Sequence, residues 1–118
     1  VSDAAFPACE PRLLLDIVNG ERAVFRSLAE ILKRETLLRF DAIVAAAAAG
    51  DARAMGFAAH SLKGTVGTVG AARAVAQLLA LEQAGLREER VCDAAAQANL
   101  RLELQAIRDE VDDFLSRL

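Results

Sequence analysis

The 118 residues carry 17 acidic and 14 basic side chains, a net charge of −3 without a basic cluster, which argues against nucleic acid as a partner. One domain is expected at this length, and the longest apolar run, residues 42–49, falls well short of the ~20 residues that cross a bilayer, so no membrane insertion is expected. Hydrophobic residues reach 54% but aromatics only 4%, with 26 Ala, 17 Leu and neither Trp nor Tyr, a mixture that favours helix and reads as all-α.

Residues 1–9 are expected to form a flexible leader, with a single bundle domain over 10–118. Pro11 suits a first helical position and Asn19-Gly20 a stop, predicting a short helix over 11–18. The next segment, 21–49, places Phe25, Leu28, Ala29, Leu32, Thr36, Phe40, Ile43 and Ala47 on one third of a helical circumference. Gly50-Asp51 joins a helix stop to an N-cap. A third helix over 51–69 then carries the stripe Met55, Ala58, Ala59, Leu62, Val66 and Val69 and closes at Gly70. A fourth, 71–84, turns Ala74, Val75, Leu78 and Leu81 inward and is expected to end at Gly85.

The charged stretch 87–90 leads into a fifth helix with two seams. Val91, Ala95, Ala98 and Leu102 align first; Leu100, Leu104, Ile107, Val111 and Leu118 align on the opposite side. Such a helix is either sandwiched at its middle or bent. Short connections between long helices predict an antiparallel four-helix bundle with a short additional N-terminal helix. Cys9 and Cys92 fit neither a zinc-ligand spacing nor a redox pair, which leaves open whether they bond and makes a reduced, cytoplasmic setting the expectation. A chain that opens on Val with no secretory signal reads as a domain excised from a longer protein.

The single His, His60, lies in the third helix to one side of its apolar stripe, so it is expected to face outward. Gly56, Gly64 and Gly67 stand at i−4, i+4 and i+7 from it. Each glycine in a helix interior costs ~1 kcal/mol relative to Ala, so three of them in so Ala-rich a chain call for a reason. Close packing of helices is one reading. Steric clearance is the other: bare backbone around an imidazole lets a macromolecular partner bring a reactive atom to the ring. Lys63, at i+3, is within reach of a group attached to that ring. A nearby cation disfavours a charged imidazole, and it attracts an anion. A neutral ring nitrogen beside an ammonium suits a transferring phosphoryl group.

The run AAHSLKGTVGTVG over 58–70 closely resembles the signature of histidine-containing phosphotransfer (HPt) domains of bacterial two-component phosphorelays, in which His-x-Leu-Lys-Gly is followed by small residues and a closing Gly. His60, Leu62, Lys63, Gly64 and Gly70 match it. The Gly50-Asp51 turn has the family's spacing, and Glu82 fits its usual pattern. The resemblance implies a four-helix bundle in which His60 is the phosphoacceptor at Nε2, Lys63 stabilises the phosphoryl group, Gly64 gives it room and Leu62 anchors the core. Thr68 stands where many members carry Asn. Gly56, Phe57, Gly67 and Thr68 are candidates for contact with the partner, Phe57 as part of an apolar docking patch or else as an ordinary bundle contact.

The partners implied are response-regulator receiver domains, or a hybrid sensor kinase in cis; those receivers bring the aspartate and Mg²⁺, and this chain binds no cofactor or metal. With no nucleotide-binding loop in the sequence, a phosphohistidine carrier without autonomous kinase activity is expected, as a monomer. Two rivals differ in kind. The dimerisation hairpin of a sensor histidine kinase also bears a helical His, but usually with an acidic residue directly after it and Pro five positions on, where this chain has Ser61 and Thr65. A catalytically inert helical adaptor would bind receivers without using His60.

Overall fold

The Asn19-Gly20, Gly50-Asp51 and Gly70 breaks fall where the sequence places them, and the computed structural model describes residues 6–89 and 92–118. The helices are α1 (Pro11–Ile17), α2 (Arg22–Ala48), α3 (Ala52–Gly67), α4 (Ala72–Leu86) and α5 (Ala94–Ser116), with no strand among the described residues. α2 packs on α3, α3 on α4, α4 on α5 and α5 back on α2, closing an antiparallel bundle against which α1 leans. No helix among the described residues is long and apolar enough to cross a membrane.

The turn between α2 and α3 shows how local chemistry fixes the geometry. Gly50 takes φ +69°, its N–H donates to Ala47 O at 3.1 Å, and Asp51 N–H donates to Ala46 O at 2.9 Å, so the last carbonyls of α2 are satisfied. The Asp51 carboxylate then accepts from Ala54 N–H at 3.0 Å and starts α3. Asp93 starts α5 in the same way, accepting from Ala96 N–H at 2.8 Å.

The predicted stripe of α2 is inward, with Phe25, Ala29, Leu32, Phe40 and Ile43 buried; Thr36 is fully buried with its hydroxyl donating to Leu32 O at 2.7 Å. In α5 the two-seam expectation is corrected. Leu100, Leu104, Ile107, Val111 and Phe114 form one buried seam, while Ala95 and Ala98 are exposed, Leu102 is 71% exposed and Leu118 also faces solvent. A helix packed on one side needs one stripe, and the apparent second seam is Ala-rich surface. Arg90 and Val91 lie outside the described residues.

The flexible leader is corrected as well. Residues 1–5 lie outside the described residues, but Phe6, Ala8 and Cys9 are buried. Phe6 meets Phe114 edge-on with centroids 5.8 Å apart, and Phe114 meets Phe25 at 5.5 Å. The Glu110 carboxylate accepts from the Ala8 N–H at 3.0 Å and the Cys9 N–H at 3.1 Å, and Glu10 N–H donates to Val69 O at 2.6 Å. Residues 6–10 thus form a strap from α5 to the end of α3. Cys9 and Cys92 are both free; burial, then Glu110, pushes the Cys9 thiol far up, and burial, then Asp93, raises Cys92.

Candidate functional site

α3 and α4 make the most extensive contact in the bundle. The inward stripe of α3 is Met55, Ala59, Leu62 and Val66, and His60 follows Ala59 by 100° of helix, which carries its ring out of the core. Its side chain is 62% exposed. Glu82 of α4 stands beside it at the edge of the Leu78/Leu81 stripe, with a side chain only 20% exposed.

One carboxylate joins the two candidate residues. Glu82 Oε2 lies 2.6 Å from His60 Nδ1, and Lys63 Nζ donates to Glu82 Oε1 at 2.5 Å. The Lys63 ammonium holds the Glu82 carboxyl below the usual carboxylate range and the His60 hydrogen bond adds to this, against the opposing effect of partial burial. An ionised carboxylate only accepts hydrogen bonds, so the proton between the two groups belongs to Nδ1. In the neutral ring Nε2 then carries a lone pair, and it has no hydrogen-bond partner among the described residues. The expectation for Lys63 is corrected in one respect: its ammonium is engaged with a carboxylate interposed between it and the ring.

The glycines divide into two kinds. A Cβ on Gly64 or Gly67 would meet nothing within 4 Å, as clearance beside the ring requires. Gly56 is buried, and a Cβ there would lie 2.9 Å from Gly85 Cα and 3.2 Å from Glu82 O. Close packing, not clearance, explains Gly56. Gly85 is likewise inside α4 and not its stop; the residue past that helix in the left-handed region is Glu88, at φ +57°.

Phe57 is 75% exposed and Leu86 76%, and both flank an open groove beside His60 that Ala54 and Gly85 also line. Phe57 is therefore not a bundle contact. Thr68 caps the end of α3, its exposed hydroxyl donating to Thr65 O at 2.7 Å, two helical turns beyond His60. Sequence reasoning noted Glu82 only as fitting a pattern and missed its bond to the ring. The available signal was an acidic residue bordering an inward stripe of a helix that must pack against α3.

Among the described residues no cluster of His, Cys, Asp and Glu could hold a metal ion. Fold and site together define a helical-bundle protein that presents one carboxylate-braced histidine to solvent. The Hpt domain family model matches residues 27–110. The structure is similar to that of histidine-containing phosphotransfer protein B (HptB) from Pseudomonas aeruginosa PAO1, with a TM-score of 0.83 over 95% of this chain and 97% of that one, at 24% identity. At that identity the likeness is one of fold. No curated protein sequence matches significantly. The chain belongs to the Hpt domain family, whose members are phosphotransfer carriers of two-component phosphorelays.

Proposed function

We propose that this protein accepts a phosphoryl group from the aspartyl phosphate of one receiver domain onto His60 Nε2 and passes it to the aspartate of another. The observation that carries the reading is the His60–Glu82–Lys63 bridge, which fixes the ring proton on Nδ1 and leaves Nε2 bare at the surface. The Nε2 lone pair forms the bond to phosphorus while the P–O bond to the donor aspartate breaks and its carboxylate leaves with the electron pair. No proton has to move, because Nδ1–H stays on Glu82. Transfer onward is the same step in reverse with another carboxylate. Such chemistry rests on positioning and charge stabilisation, which Lys63 supports by holding Glu82.

The receiver brings the Mg²⁺ and the aspartate. It docks over the open backbone of Gly64 and Gly67 and against Phe57 and Leu86, with Thr68 at the rim. The chain acts as a carrier without kinase activity of its own, as a monomer in a cytoplasmic setting. The test is incubation with a phosphorylated cognate receiver. Wild type becomes labelled at His60, with acid-labile, alkali-stable phosphate, and His60→Gln does not. Absence of transfer to wild type, or equal labelling of the variant, overturns the reading. A receiver complex whose affinity and output ignore His60 would replace it with the inert adaptor.

A further inference from the structure

Two glycines face each other across the α3–α4 contact. A Cβ built on Gly85 would lie 2.6 Å from Gly56 Cα, 2.7 Å from Ala52 O and 2.9 Å from Gly56 N. Every one of these atoms is backbone, so no side chain can swing aside. The two helices touch main chain to main chain at this point. His60 lies one turn after Gly56 on α3, and Glu82 lies three residues before Gly85 on α4. Because the helices are antiparallel, both are ~4.5–6 Å from the crossing on the same side.

We propose that Gly85, seated on Gly56, is a positioning residue: the main-chain crossing of α3 and α4 sets the reach of Glu82 to His60 Nδ1, and with it which ring nitrogen is left bare. Restoring ordinary carbon–carbon contact of ~3.5–4.0 Å around an added methyl group requires the helices to part by about 1 Å. A 2.6 Å charge-assisted bond lengthened by that amount is no longer a hydrogen bond. Freed from Glu82, the ring loses its preference for Nδ1–H. The kinetic side of this inference rests on the reading of His60 as phosphoacceptor; the tautomer does not.

The experiment records imidazole ¹⁵N shifts of His60, the single histidine, at a pH where the ring is neutral, beside receiver-to-His60 transfer rates. Wild type is expected to show Nδ1–H and a bare Nε2. Glu82→Ala loses this, and Gly85→Ala moves toward the Glu82→Ala pattern while its circular dichroism stays helical. Transfer to Gly85→Ala slows roughly 10- to 100-fold, the scale of a 1 Å misplacement. Gly67→Ala, in open space, leaves the tautomer as in wild type. Gly56→Ala, with its longer closest approach of 2.9 Å, gives a smaller shift in the same direction and serves if Gly85→Ala fails to fold. In a Glu82→Ala background Gly85→Ala adds nothing to either readout, where a merely structural role would add its own loss. A folded Gly85→Ala or Gly56→Ala with the wild-type tautomer overturns the inference. Failure of transfer in wild type with the tautomer pattern intact overturns the phosphoacceptor reading alone.

Discussion

The two ring nitrogens of His60 have opposite surroundings, one on a carboxylate and one in the open, and Lys63 acts by holding that carboxylate in place. Lys63→Ala is therefore expected to slow transfer several-fold while changing stability by less than ~1 kcal/mol, the usual worth of a partly exposed ion pair. Denaturant titration beside a transfer assay checks both; transfer at the wild-type rate would remove the role. Glu82 makes a pH prediction. Its folded carboxyl titrates lower than in the unfolded chain, so it stabilises the fold above about pH 5, and that contribution is lost as pH falls through the folded value. The stability gap between wild type and Glu82→Gln should narrow as pH falls below about 4 in urea titrations. A gap that widens over that range contradicts the sign. His60, Lys63 and Gly64 were legible because a motif is local in sequence. The Glu82 bond was not, because it joins two helices whose register no short pattern encodes.

Glycine has two physical uses in helices, and composition alone does not distinguish them. At Gly50 and Gly70 it supplies positive φ past a helix end, which the sequence reading recognised. At Gly56 and Gly85 it supplies closeness, whereas the sequence makes Gly85 a stop and leaves Gly56 between packing and clearance. The stop actually falls on Glu88, whose N–H donates to Gly85 O while Glu89 N–H donates to Ala84 O. An L-residue with a β-carbon costs roughly 1–2 kcal/mol in that conformation, and the exposed Glu88–Arg53 pair at 3.7 Å offsets little of it. Glu88→Gly should accordingly stabilise the protein by about 1 kcal/mol, a rise of several degrees in Tm by calorimetry. An unchanged or lower Tm would mean that the strain is relieved elsewhere. The α5 seam teaches a related lesson: Ala is apolar enough to draw a stripe on paper and small enough to sit in water.

Across the whole molecule, 43 × 24 × 17 Å, the order and pairing of the four long helices followed from periodicity and short turns, whereas the strap did not. Extended chain has no 3.6-residue period, so nothing in residues 6–10 announces that Phe6 joins the core. Phe6→Ala is expected to cost about 3–5 kcal/mol, as for other buried aromatics, measured by urea unfolding; a loss below ~1 kcal/mol would restore the leader as an appendage. The strap also decides where mechanical load enters. A tether attached ahead of Phe6 pulls first on Glu110 of α5 and on the Val69 carbonyl, at the far end of α3 from Gly56. Tension from a neighbouring module would thus tug at that end of the rod before it disturbed the crossing that braces the imidazole.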